Sequence, residues 1–518
     1  MEALLTFDVG TSGTKCTLFG SDGREVASET SGHRIWFPSQ GWAEQDADDF
    51  WKACVEAGRK VLAASKGSGE ARSICAIGLA GQMNGCLALD GSGSPLLREI
   101  IHSDTRSGAQ CAAILDRMPN ARFYELTGNR VDPHFSLPKI MWIRDNLPQV
   151  YSRAAFFVNA KDYIAFKLTG TLGTTDFSDA SLTTALDLGS KSWASGLLAE
   201  VGLDESKFPR CVKSAEKVGA LSAGAAAALG LPSGIPVVAG GGDAACATRG
   251  AGVVDDGCAY ANIGSSAWIS TLAARPLADA GMRMQNFFDL DGELLNICGT
   301  VQTASSACDW AFREMFADAV DGGVGRRADL ELEIVAAEVG SHGVLFAPYL
   351  MGERTPWWDE SIRGAFVGLS MSTKRADLLR SVIEGVAFAL RTVLGVYGDS
   401  GFRFGELRLL GGAAMSPAWL AVIRDALGIA TRLHAHPLSG TSLGAAMAAG
   451  VGVGLFPDFR RASAMASFAD RREPDPASAP LYDRYYAEAS RMYERLRPIC
   501  ANLLEIERER RAGKESAV

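Results

Sequence analysis

Long apolar runs are missing from this chain. No stretch of about 18 uninterrupted apolar residues occurs, so no membrane-spanning helix is expected. The opening "MEALLTFDVG" has neither the basic segment nor the apolar core of a secretory signal, so none is expected. Positive charge is in short supply as well. Lys and Arg total 51 against 60 Asp and Glu, a net charge of -9, which argues against a nucleic-acid surface. That deficit says little about a phosphorylated ligand, which local amides can hold. Eleven cysteines include no CxxC pair and no Cys/His metal-ligand spacing. Scattered and odd in number, they suit reduced thiols in a cytoplasmic protein better than a disulfide scaffold or a zinc site. Nor is there a low-complexity linker. The composition, 47% hydrophobic and 21% charged, is globular, and 518 residues exceed one core, so two or three domains are expected.

What is present begins with a repeat. "FDVGTSGTKCTLF" near the N-terminus and "ANIGSSAWISTLA" at 261–273 share a strand, glycine–hydroxyl turn, strand shape. Gly10 aligns with Gly264, and Thr11-Ser12 with Ser265-Ser266. A repeat this widely spaced implies a duplicated domain rather than a solenoid. The boundaries read from the chain are 1–248, 249–455 and a polar helical segment, 456–518, partly docked by Tyr485, Met492 and Leu496. Strands are expected at 4–9, 15–19, 25–29, 73–80, 235–239, 344–347 and 407–411. Helices are expected at 47–65, 223–231, 301–318, 328–339, 374–397 and 417–427, with an alanine- and glycine-rich helix at 440–456 that suits a close crossing at a hinge or ordinary burial.

Three stretches carry chemistry. A turn of Gly-Thr-Ser-Gly-Thr offers backbone N–H groups and hydroxyls on one concave edge, suited to phosphate oxygens. Asp8 ends the preceding strand, where a carboxylate can hold Mg²⁺ through water, and Lys15 follows, where it can neutralise phosphate. Two such turns in matching halves would grip a nucleotide triphosphate. At 407–420 a strand runs into Gly411-Gly412, then small residues and Ser416 as a helix cap. That leaves room for a flat ring such as adenine, although close helix–strand packing explains the same residues. In "VVAGGGDAAC", 237–246, three glycines precede Asp243. They let backbone approach the floor of a cleft and set a carboxylate where it can take a proton from an attacking hydroxyl; metal holding and helix capping are the rival roles.

These residues resemble the FGGY family of carbohydrate kinases. Two signatures carry the resemblance, "SLPKIMWIRDN" at 136–146 and "GAFVGLSMSTKRADLLRSVIE" at 364–384. Both mark structural units rather than chemistry. The resemblance implies an α/β fold of two duplicated actin/hexokinase/Hsp70-like, ribonuclease H-like ATPase domains around a central cleft. Within the family, "GQMNG", "GGGDAA" and "YLMGERTPWW" are most similar to xylulokinases. That implies Asp243 as general base; Gln82, Met83, Asn84, Asp104 and Arg106 beside the sugar; Gly10, Thr11, Ser12, Lys15, Gly264, Ser265 and Ser305 at the phosphates; and Gly411, Gly412 and Ser416 at adenosine. Asp243 is expected to need little pKa shift. The implied reaction is transfer of the γ-phosphate of ATP, with Mg²⁺, to a terminal hydroxyl of an open-chain sugar, D-xylulose first. Two departures lie on the sugar side: Asn84 where xylulokinases carry His, and His102 where they carry Trp. Ribulose, fuculose, erythritol or gluconate are therefore alternatives. A non-transferring ATPase switch is the rival of another class. The implied partners are a small-molecule sugar and a second copy of the chain as a homodimer, not nucleic acid or membrane.

Overall fold

The computed structural model describes residues 2–66, 73–316 and 331–515, the last five as backbone alone. The chain packs as two compact units. One gathers Met1–Asp255, Thr271–Ile297 and Ser439–Ser467; the other gathers Asp256–Ser270, Cys298–Leu438 and Phe468–Val518. The units are thus drawn across the linear segments 1–248 and 249–455, because 271–297 and 439–467 pack with N-terminal residues.

In the first unit, strands β1 (Glu2–Val9), β2 (Gly13–Gly20) and β3 (Glu25–Gly32) form an antiparallel meander. Strand β4 (Ser73–Gly81) lies parallel to β1 on its other side. Then come β5 (Lys217–Ala220) and β6 (Pro236–Val238), giving the order β5-β6-β4-β1-β2-β3, with β7 (Gly241–Gly242) also paired to β4. Central β1 and β4 are buried on both faces, which is why they read as continuous apolar runs rather than alternating ones. Helix α1 (Ala47–Lys66) covers the sheet with Phe50, Cys54, Ala57 and Val61, one face of a 3.6-residue period. The first signature is helix α2 (Ser136–Asn146). Helix α3 (Asp243–Gly250) crosses the helix Gly440–Gly452 at backbone contact. A Cβ on Gly250 would lie 1.8 Å from the Gly440 carbonyl oxygen, and one on Gly444 1.9 Å from that of Cys246. The small residues of 440–452 are therefore a buried crossing within this unit.

In the second unit, β8 (Ala259–Ile263) leads through the second turn into the first residues, up to Ser270, of β9 (Ala267–Ala273). Strand β10 (Leu407–Leu410) pairs in parallel with β8 and with β11 (Thr431–Leu433). Helices α4 (Ser305–Met315), α5 (Arg375–Asp399) and α6 (Pro417–Leu427) follow the expected pattern. The helix expected at 301–318 starts late, because Leu295–Val301 is a strand buried at every position, with no exposed face to mark its period. Residues 317–318 and 328–330 lie outside the described residues. The tail is two helices, Ala479–Ala489 and Met492–Glu515, rather than one. Tyr482, Met492 and Tyr493 dock it, and Tyr485 fills the space over Gly340.

Candidate active site

The three glycines at 240–242 each meet a different crowding. Gly240 sits at φ +66, and a Cβ there would lie 1.7 Å from the Leu79 carbonyl oxygen. A Cβ on Gly241 would lie 2.2 Å from Leu290, and one on Gly242 2.4 Å from Met83. Strand pairing then aligns Asp8, Ala80 and Gly241 across β1, β4 and β7, and Val9, Gly81 and Gly242 in the next row. One residue further on lie Gln82 and Asp243, so the strand ends gather Asp8, Asp243 and the Gln82–Asn84 loop. Gly242 caps α3 and Asp243 is its first residue, so Asp243 is not the cap.

Asp243 does not keep an ordinary carboxylate pKa. Burial pushes it up to about 7, the charge of Asp8 adds to the rise, and the Ala244 N–H opposes it. Burial likewise lifts Asp8 to about 6 against the pull of Lys15, which stands opposite it on β2. The expectation of little shift fails because the Asp243 carboxyl is poorly hydrated and feels the like charge of Asp8. Such a pair of half-buried hard oxygen donors suits a divalent cation such as Mg²⁺.

The first turn is tighter than expected. The Gly10 N–H is donated to the Gly13 carbonyl at 3.1 Å, so it is spent within the turn. The Thr11 and Ser12 amides make no hydrogen bond among the described residues and are the donors left for an anion. Thr11 is held from below: its hydroxyl donates to Gln82 Oε1 at 3.1 Å and its carbonyl accepts from Gln45 Nε2 at 2.7 Å. Gln82 also donates to Gln45 Oε1 and Glu99, so its side chain braces the turn. Glu99 is pushed up to about 8 by burial, opposed first by Lys139.

In the Gln82–Asn84 loop, Asn84 adopts φ +65 and is 8% exposed, and its Oδ1 has no hydrogen-bond partner. Its conformation is imposed by α2. The Lys139 ammonium donates to the carbonyls of Asn84 (2.7 Å), Ile101 (2.8 Å) and His134 (2.6 Å), while Ser136 Oγ donates to that of Gly85 (2.7 Å). Burial pulls Lys139 down to about 7, yet three acceptors use all three of its protons, so the cation is the form this site is built for. The first signature is therefore the clamp of the Asn84–Gly85 loop as well as a helix. Asp104 and Arg106 pair with each other. Asp104 accepts from the Ala43 N–H at 2.6 Å and from Arg106, which also pairs with Glu44 and stacks on Trp42 and Trp142. Both are closed off from solvent, so their visible task is to brace the strand end carrying His102.

In the second unit the Gly264 N–H is donated to Ser266 O at 2.9 Å, which spends it as at Gly10. The turn's carbonyls are satisfied by the start of α4: Ser305 N–H donates to Gly264 O, and Ala304 N–H to Ser265 O. Ser305, Gly412, Ser416 and Trp419 line a pocket of about 410 Å³. Ser416 caps α6 through the Trp419 N–H, as expected. Gly411 sits at φ +94 with a would-be Cβ 2.5 Å from the Ile263 carbonyl oxygen, so it serves strand packing, whereas the Cβ direction of Gly412 is open. Two residues here were missed. Thr303 Oγ1 and Glu353 Oε2 are buried without hydrogen-bond partners. Glu353 Oε1 accepts the Gln302 N–H, and burial pushes the acid up to about 8. The "GERTP" motif contained Glu353, but its burial is a property of the fold alone.

A central sheet of this order, with a phosphate-type turn after the first strand of each unit, is the ribonuclease H-like ATPase architecture, and here it belongs to a sugar phosphotransferase. Residues 3–250 match the N-terminal domain, and 259–453 the C-terminal domain, of the FGGY family of carbohydrate kinases. The chain belongs to that family, and ATP is its phosphoryl donor. The chain is 29% identical to the xylulose kinase of Staphylococcus epidermidis over 98% of this chain and 99% of that one. It is 30% identical to the glycerol kinase of Citrifermentans bemidjiense over 88% and 91%. A crystal structure named as a xylulose kinase from Brucella ovis superposes with a TM-score of 0.86 at 31% identity, covering 96% and 100%. Family membership sets aside the non-transferring ATPase switch. No helix among the described residues is long and apolar enough to cross a membrane.

Proposed function

We propose that this chain phosphorylates a terminal hydroxyl of an open-chain ketose, with D-xylulose the first substrate to test. The observation that carries this reading is the contact of Met83 with Gly242, which couples the sugar-side loop to the residue before Asp243. Beside it, Asn84 Oδ1 is a buried acceptor awaiting a donor, and a sugar hydroxyl supplies one. Asp243 accepts the proton of the attacking hydroxyl, and Asp8 would hold Mg²⁺, which would supply charge neutralisation at the phosphates. The Thr11 and Ser12 amides bind phosphate oxygens from the first turn. The pocket of Gly412 and Ser416 takes the adenine ring. Eleven free cysteines agree with a cytoplasmic setting.

Asn84 and His102 favour a second reading, a different ketose or a polyol, because both depart from the xylulokinase pattern. Coupled ADP formation over pentuloses, hexuloses, polyols and aldonates separates the two. The reading predicts the highest kcat/KM with a ketopentose. A polyol or aldonate at the top of the ranking would overturn it. Asn84→His with His102→Trp is expected to change the ranking and leave the KM for ATP unchanged.

A further inference from the structure

Behind the Gly240–Gly242 run lies a buried polar cluster that no step above uses. Asp176 caps the short helix Phe177–Leu182 and is fully buried. Its Oδ2 accepts from Ser178 N (2.9 Å), Ser178 Oγ (2.6 Å) and Ser214 Oγ (2.7 Å). Its Oδ1 lies 3.1 Å from the Lys161 ammonium, which also meets Asp162 at 2.6 Å and Asp179 at 3.3 Å. A hydroxyl has one proton. With that of Ser178 given to Asp176, its oxygen presents lone pairs in the other direction, and it accepts the Gly242 N–H at 2.9 Å. The Ser214 carbonyl accepts the Gly240 N–H, also at 2.9 Å. One carboxylate therefore governs both ends of the glycine run, through Ser178 at one and Ser214 at the other.

We propose that Asp176 and Ser178 are positioning residues for Asp243, acting along the chain Lys161–Asp176–Ser178–Gly242 N–H. This rests on the reading of Asp243 as the base. Gly242 has no side chain to restrain it, and the Gly241–Gly242 peptide, one residue upstream of Asp243, sets the direction from which the chain enters that residue. The hydrogen bond from the Gly242 N–H to Ser178 supplies the missing restraint. The neighbouring residue is equally confined, since a Cβ on Gly241 would stand 2.9 Å from Ser178 Oγ. A base displaced by about 1 Å from its productive place loses about 100-fold in rate, so fixing this peptide is a catalytic matter although none of these residues touches substrate.

The test is a double-mutant cycle of Ser178→Ala and Asp243→Asn, read as single-turnover rate and as KM for ATP and for sugar. Ser178→Ala is expected to slow the wild-type background about 10- to 100-fold, with both KM values within about twofold. In the Asp243→Asn background it should slow the rate less than about twofold, because there is no base left to position. Equal losses in both backgrounds, or no loss in the wild type, would overturn the proposal. Wild-type activity in Asp243→Asn alone would overturn the reading beneath it, so the two failures are distinguishable. Ser178→Cys keeps the shape of the side chain with a larger terminal atom and weakens the acceptor; should the alanine variant not fold, the same cycle with cysteine carries the same expectations and the same refutations.

Discussion

Lys139→Met tests whether α2 clamps the sugar-side loop. Methionine keeps the unbranched stem of lysine as far as Cε and removes the ammonium. Three buried carbonyls, those of Asn84, Ile101 and His134, then lose a donor at 2.6–2.8 Å. Each buried acceptor left unpaired costs about 1–3 kcal/mol. Against this, the variant no longer buries a cation whose pKa burial has already lowered to about 7, which recovers several kcal/mol of desolvation. The net expectation is a loss of about 2–4 kcal/mol. At about 2–4 °C per kcal/mol for units of this size, the Tm should fall by about 5–15 °C. The functional signature is selective. Without its restraint at the carbonyl, Asn84 should relax from φ +65, and the KM for sugar should rise about tenfold or more while that for ATP stays within twofold. Thermal melts and steady-state kinetics with each substrate varied in turn make the measurement. A Tm within 1 °C of wild type together with an unchanged sugar KM would refute the clamp.

The pH profile follows from the Asp243 carboxyl, which must be ionised to accept a proton. Its folded value of about 7 lies above the ordinary 3.8, so kcat/KM for sugar should fall on the acid side with a midpoint near 7. Asp8→Asn removes the like charge that helps raise it and should move that limb to lower pH; a limb unmoved by the substitution would show that the two carboxylates do not interact. In the second unit, Gly412→Val projects into the pocket of about 410 Å³ with its nearest neighbour 4.0 Å from the Cβ, so folding should be spared. The KM for ATP should rise about tenfold with the sugar KM unchanged, and an unchanged ATP titration would remove this pocket from the nucleotide site.

The strand skeleton of the first unit was legible because buried central strands are continuous apolar runs and α1 keeps a clean helical period. The strand Leu295–Val301 was not, since Asn296, Cys298 and Thr300 are buried without the alternation that announces a strand. The turns were legible as glycine–hydroxyl turns, but which amides remain free depends on closures such as Gly10 N–H to Gly13 O, which residue type does not encode. Asp104 and Arg106 illustrate the same limit: a carboxylate and a guanidinium at a strand end read as ligands, and only the structure shows them satisfying each other. Lys139 ran the other way, from helix marker to clamp, because its three acceptors come from segments far apart in the chain.

Asp243 is the proposed base, and Asp243→Asn tests that role most directly. The amide is isosteric and still accepts the Ala244 N–H seen at 2.7 Å, so ATP and sugar affinities should stay within a few-fold of wild type. Sugar-dependent ADP formation should fall by about 10²–10⁴-fold, the usual worth of a general base. Turnover within a few-fold of wild type, in a variant that binds both substrates, would contradict it.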